Sequence, residues 1–341
     1  MTALHSTAPR TGVDVLDRCR ALVRPALAEA VGRLHPRLGE MAGYAFGWCE
    51  VGGGPAAGSG GKGVRQALAV LGAEAVGGHA RAGSTAAVAV ELVHVFSLLH
   101  DDIMDGDASR RGRPTVWAAY GTGPAVLAGD ALFALAVETL AAVPDGGGAV
   151  RLLSAALGDL VRGQADDLLF AGRPWTGPER VRPAEYRAMA ERKTGALLGC
   201  AAALGARLGG APPATVAALD RAGRDLGIAF QIVDDVLGVW GDPAVTGKPV
   251  HGDLRERKKT LPVLVALEAP GAHHLAALLE SGRRPDAAAA WIEAAGGRSG
   301  ALDEARRRIA RAEAALGALP LRAGPAGELK ALLDFLVGRD L

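Results

Sequence analysis

A chain of 341 residues with 49% hydrophobic side chains is long enough to bury one large core or two ordinary ones. Aromatic residues make up only 4%, and alanine, leucine and glycine dominate, which favours helices packed through small side chains over a β-sandwich. The net charge of +1 offers no strong field to nucleic acid or an anionic membrane, and the scattered cysteines Cys19, Cys49 and Cys200 form neither a disulfide framework nor a zinc-ligand spacing.

Residues 1–12 read as a flexible terminus without the apolar region of a signal peptide. The rest, 13–341, reads as one domain. Apolar residues at helical spacing predict a helix over 13–33. A glycine-rich loop fills 50–63, and helices follow over 64–78 and 83–105. The basic stretch 109–124 is a connector. Helices are expected over 125–142, 148–170, 184–208 and 214–240, and residues 241–258 read as a polar, turn-rich flap. From 259 onward short helical patterns alternate with glycine and proline breaks. No β alternation of useful length is present, and no apolar run approaches the ~18 residues that span a bilayer. The expected fold is therefore all-α, a single-domain helical bundle around a central cavity. A reducing cytoplasm is the expected location.

The helix over 83–105 ends in Asp101, Asp102 and Asp105. Asp101 and Asp105 are one turn apart and share a face. Carboxylates belong at a helix N-terminus, and here they follow the apolar run, against the macrodipole. The arrangement recurs in LGIAFQIVDD, where Asp234 and Asp235 close an apolar helix and Gln231 lies one turn before Asp235. Two such clusters suit a hard cation such as Mg²⁺, which takes oxygen ligands and bridges to phosphates.

Basic residues in loops and at helix starts match that reading: Lys62 and Arg65 in GGKGVR, Arg110 and Arg111, Lys193 beside Thr194, Lys248, Lys258 and Lys259. GSGGKG is not a P-loop, because no Ser or Thr follows the lysine and no strand precedes it. HDD at 100–102 lacks the second histidine of a zinc signature. His94 lies seven residues before Asp101, on the same helix face. No nucleophile with an adjacent base stands out, so the chemistry implied is electrophilic: metal ions stabilising a departing diphosphate beside an apolar shelter.

Taken together, these motifs resemble the trans-isoprenyl diphosphate synthases, or polyprenyl synthetases. DDIMD with RRGRPT is similar to the family's first aspartate-rich motif. GGKGVR resembles GGKxxR, GQADD (Gln164, Asp167) resembles GQxxD, and KTGALL matches the KT element. FQIVDDVLGVWGD through KKTLP resembles the second aspartate-rich region. The resemblance implies an all-α isoprenoid synthase fold, usually a homodimer. It implies isopentenyl diphosphate on Lys62, Arg65, His94 and Arg111. It implies an allylic diphosphate on Arg110, Lys193, Thr194, Gln231, Lys248 and Lys258. Three Mg²⁺ ions would be held by Asp101, Asp102 or Asp105, and Asp234, with Asp235 beside it. Asp101, Asp102, Asp105, Lys193 and Asp234 would be the catalytic set.

One departure stands out: DDVLG carries Gly238 where the family often has a third aspartate. In the family, an aromatic five residues before the first motif sets a floor for the growing chain. Phe96 holds that position, about 7.5 Å down the helix from Asp101, with small Ser97 next to it. That pattern resembles short-chain enzymes making geranylgeranyl diphosphate, with farnesyl diphosphate the shorter alternative. A terpene cyclase or lyase on the same scaffold would have no use for Lys62, Arg65, His94 and Arg111 together. A non-catalytic partner subunit would carry degraded acidic motifs, and the first motif is complete.

Overall fold

Thr11 starts the first helix. Its Oγ1 accepts from the Asp14 N–H at 3.3 Å while Asp14 accepts from the Thr11 N–H at 2.9 Å, a capping box that opens α1 (Gly12–Gly32). The computed structural model describes residues 11–56, 61–144, 146–242 and 250–338. Residues 1–10, part of the glycine loop (57–60), residue 145, the flap stretch 243–249, which contains Lys248, and residues 339–341 lie outside the described residues.

The helices follow as α2 (Pro36–Ala45), α3 (Val64–Ala75), α4 (Ala80–Asp105), α5 (Val116–Tyr120), α6 (Thr122–Ala141), α7 (Gly146–Ala171), α8 (Pro183–Ala190), α9 (Ala196–Leu208) and α10 (Pro213–Trp240). Further helices complete the chain, among them Gly252–Arg255, Leu261–Ala266, Gly297–Gly317 and Ala323–Val337. The fold is all-α. Three local features depart from the sequence reading. The sequence reading assigns no element to the stretch that forms α2, although Pro36 at its first turn is a start signal. The connector holds a hairpin, Ser109–Arg110 (β1) paired with Arg113–Pro114 (β2). The helix over 184–208 is interrupted by a π turn at Glu191–Gly195.

The chain divides into two compact units. The first comprises Met1–Leu157, Cys200–Asp220 and Ala318–Phe335. Its centre is α4, which is buried on all sides from Ala86 to Val93 and packs on α3 and α6. Arg18 ties the unit's sequence ends together, reaching Glu74 at 2.8 Å and Glu328 at 2.5 Å. The second comprises Gly158–Gly199, Arg221–Gly317 and Leu336–Leu341, where Gly297–Gly317 packs against Leu261–Ala266.

Two helices are long and apolar although neither carries an unbroken apolar run of ~18 residues. By length and composition α4 and α6 could each cross a bilayer. In α4 the reason is that a core helix needs no polar face, and 72% of its apolar window is buried inside the protein. The figure for α6 is 39%, with Val126 and Leu127 exposed.

Small residues set the packing distance in the first unit. A β-carbon at Gly205 would stand 2.9 Å from the Ala69 carbonyl carbon and 3.0 Å from the Ala73 nitrogen. One at Gly72 would stand 2.5 Å from the Ala202 oxygen. Helix backbones in contact leave no side chain to move aside. Gly205→Val is therefore expected to destabilise the protein by about 3 kcal/mol, at the upper end of overpacking costs. Chemical denaturation checks this, and a midpoint equal to wild type would refute the contact.

Candidate active site

In the first unit α4 stops at Gly106, whose φ of 71° provides a left-handed cap. The three carboxylates of its last turn differ in environment. Asp102 is 4% exposed, and Arg110 grips it with Nε at 2.7 Å and Nη2 at 2.6 Å. Burial pushes the Asp102 carboxyl above its usual range, with Arg110 opposing the shift. Asp101 is half-buried and Asp105 exposed, both on the face that leads into solvent. Asp102 thus fastens the hairpin to α4, while Asp101 and Asp105 stand on the side open to solvent.

The hairpin turn presents Arg111. Arg111 and Gly112 have φ of 52° and 75°, as a two-residue type I′ turn requires. A non-glycine residue there costs conformational energy of order 1 kcal/mol, and such residues cluster at functional positions. The Arg111 guanidinium comes within 3.3 Å of where a β-carbon of Gly61 would be, so the glycine loop and the hairpin close on one another.

Between them lies a recess lined by Arg20, Arg24, Gln66, Glu91, His94 and Arg111. Arg65 Nη1 lies 3.2 Å from His94 Nε2. Guanidinium is always a donor, so Nε2 accepts and the ring proton sits on Nδ1. Arg20 donates to the Lys62 carbonyl at 3.1 Å. The recess gathers cations at the start of α3, where free amides add to the attraction for an anion. Glu91 is 7% exposed; burial raises its carboxyl, and Arg65 and Gln66 counter the rise.

His94 titrates well below its usual range, through burial first and then Arg65, Arg111 and Arg110. A histidine depressed in the folded state costs nothing where both states are neutral. Below the unfolded value of about 6.5 the unfolded chain binds the proton and the folded one does not, so stability falls as pH falls. His94→Gln should make the acid limb of a stability–pH curve shallower between pH 6.5 and 4.5; an identical slope would contradict the assignment.

In the second unit Lys193 and Thr194 sit in the π turn, a feature frequent at functional sites. Glycines let neighbouring helices approach it: a β-carbon at Gly163 would stand 2.7 Å from Lys193 Cα, and one at Gly195 2.9 Å from the Arg224 oxygen. Lys193 pairs with Asp167 at 2.5 Å. Thr194 Oγ1 donates to Gln231 Oε1 at 2.7 Å, and Gln231 Nε2 donates to Asp235 Oδ1 at 3.0 Å. The other Asp235 oxygen accepts from Tyr186 Oη at 2.5 Å and from the Leu261 N–H at 3.1 Å. Burial, and then the charge of Asp253, push Asp235 up to about 7. Asp235 is 5% exposed while Asp234 beside it is exposed. The two halves of each aspartate pair therefore differ: one residue is bound into the protein and its neighbour faces outward.

Ser97 donates to the His94 carbonyl at 2.8 Å, and Phe96 meets two rings, His100 at 4.7 Å and Phe133 of α6 at 5.7 Å. Lys258 lies 2.7 Å from Glu256 and 3.9 Å from Asp253. The sequence reading gave no part to Tyr186, Glu91, Phe133 or Asp253, each a single residue outside the motifs. Gln164 was noted only within its motif; it is 6% exposed and neither amide atom has a partner among the described residues.

Among the described residues no three acidic, histidine or cysteine groups converge into a protein cage for a metal ion. Asp101 and Asp105 in the first unit, and Asp234 in the second, are each oxygen donors of the kind that a hard cation keeping its waters accepts.

A family model described as polyprenyl synthetase matches residues 55–294. The chain is 46% identical to the geranylgeranyl diphosphate synthase of Mycobacterium tuberculosis, over 93% of this chain and 91% of that protein. It is 43% identical to that organism's (2E,6E)-farnesyl diphosphate synthase, over 97% and 94%. The crystal structure of a polyprenyl synthetase from Streptomyces coelicolor A3(2) superposes with a TM-score of 0.88 at 46% identity, covering 94% of this chain and 98% of that one.

Proposed function

The chain belongs to the polyprenyl synthetase family, and from that premise we propose that it is a short-chain trans-prenyltransferase joining isopentenyl diphosphate to an allylic diphosphate. The observation that carries the reading is the cationic recess of the first unit, where neutral His94, paired with Arg65, lines the wall together with Arg20, Arg24 and Arg111. Such a pocket serves a second diphosphate, which a cyclase does not need.

Each group then has a task. Lys62, Arg65, His94 and Arg111 hold isopentenyl diphosphate. Arg110, Lys193, Thr194, Gln231 and Lys258, with Lys248, serve the allylic diphosphate. Asp101, Asp105 and Asp234 hold Mg²⁺, while Asp102 and Asp235 keep Arg110 and the Gln231–Thr194 pair in place. Bound Mg²⁺ supplies charge neutralisation for the leaving diphosphate. The allylic C–O bond breaks and its electron pair leaves with the diphosphate. The double bond of isopentenyl diphosphate attacks the allylic carbon, and its C2 proton departs to the released diphosphate. The threonine hydroxyl and the Gln231 amide carbonyl present negative dipoles that favour the developing cation. The two aromatic rings at Phe96 bound the space for the growing chain, in keeping with a C20 or C15 product. A second copy of the chain would cover the exposed apolar residues of α6, and none of the three cysteines is in a disulfide, in keeping with the cytoplasm.

Incubation with Mg²⁺, isopentenyl diphosphate and each of the C5, C10 and C15 allylic diphosphates tests the proposal. Diphosphate release with C15 or C20 products is expected; conversion of geranylgeranyl diphosphate alone, without use of isopentenyl diphosphate, would overturn it. Phe96→Ala should shift products longer. Phe133 remains as part of the floor, so the shift is expected to stop within a few isoprene units, and an unchanged distribution would remove Phe96 from this role.

A further inference from the structure

The second acidic motif lacks its third carboxylate in sequence but not in space. Gly238 lies four residues after Asp234, on the same face of α10. The carboxylate of Asp253, from Gly252–Arg255, occupies the place of a side chain at 238. A β-carbon there would meet Asp253 Oδ2, with Cγ at 2.5 Å and Oδ1 at 3.0 Å. Gly238 is helical, so what the position requires is room and not a left-handed backbone.

Asp253 is 6% exposed. Its main-chain carbonyl accepts from the Lys258 N–H at 2.9 Å, and its Oδ1 stands 3.9 Å from Lys258 Nζ. A second partner of Lys258 among the described residues, Glu256, is at 2.7 Å but 52% exposed, and exposed pairs contribute little. The buried carboxylate is thus the fixed element against which Lys258 is set.

We propose that Asp253 is a positioning residue that takes the place of the carboxylate missing at 238, holding Lys258 beside the Asp234 face for the allylic diphosphate. The inference rests on the prenyltransferase reading for the identity of that substrate. Gly238 and Asp253 are then a packed pair: a side chain at 238 requires the Asp253 carboxylate to move from its present place.

The test is a cycle of Gly238→Asp, Asp253→Ala and the double variant, with Asp253→Asn as the volume-preserving control. The readouts are KM for each substrate, calorimetric binding of inorganic pyrophosphate with Mg²⁺, and thermal unfolding. Asp253→Asn should raise the allylic KM and weaken pyrophosphate about tenfold, leaving the isopentenyl KM unchanged. Gly238→Asp alone should bind pyrophosphate as poorly and unfold at lower temperature. The double variant should regain unfolding temperature and bind within about threefold of wild type. A double variant no better than the worse single one, or an Asp253→Asn protein that binds as wild type does, would overturn the proposal. If wild type elongated no allylic diphosphate, the prenyltransferase reading would fail, whereas the pyrophosphate and unfolding cycles would still decide the pairing of 238 with 253.

Discussion

Asp101→Ala is expected to lower turnover by about 10²–10³-fold, the scale for removing one group that stabilises charge in a transition state. Asp102 cannot replace it, because both guanidinium contacts of Arg110 fall on that carboxylate. Asp105 remains one turn away, so residual binding of Mg²⁺ is expected and the loss should appear in kcat more than in affinity. The side chain is half-buried at a helix end and carries no core packing, so the unfolding midpoint should move little. Asp102→Ala should behave differently: it leaves Arg110 without its anchor and loosens the turn that carries Arg111, raising the KM for isopentenyl diphosphate as well. Steady-state kinetics on both variants, with circular dichroism to verify folding, distinguish the two. Full activity in Asp101→Ala would refute the assigned mechanism.

The sequence carried the motifs because helix periodicity converts spacing into a face. Asp101 and Asp105, or Gln231 and Asp235, are neighbours on any helix that contains them. It could not rank the aspartates within each pair, since burial decides that, and burial comes from helices distant in sequence. Tyr186 reaches Asp235 across 49 positions. The Arg111 turn was hidden for a related reason: asparagine or glycine would have announced a type I′ hairpin, and arginine does not. Gly238 was legible as a missing acid. Its replacement was not, because Asp253 lies fifteen positions later, within the flap, and meets it only in the folded chain. The apolar length of α4 and α6 is masked in the sequence by interior charges, Glu91 in α4 and Asp130 and Glu138 in α6, which interrupt an apolar run without breaking the helix.

The second large effect is on stability. Asp235→Ala should cost about 3 kcal/mol, because the Tyr186 hydroxyl and the Leu261 N–H would be left buried without an acceptor at about 1–3 kcal/mol each. Gln231 would lose its hold as well, and Thr194 with it, so activity should fall together with stability. Relief of the carboxylate's own desolvation partly offsets the loss. The pH dependence identifies this balance. The folded Asp235 titrates at about 7 against 3.8 for the free group, so the folded state binds the extra proton between those values. That contribution is fully present below pH 4 and is lost as pH rises through 7. The stability gap between wild type and Asp235→Ala, measured by denaturant unfolding without added metal, should therefore narrow from pH 5 to pH 7. A gap that widens over this range would mean that the three donors hold the carboxylate ionised despite its burial. Asp235 would then act as a charge in the second acidic cluster and not as its neutral support.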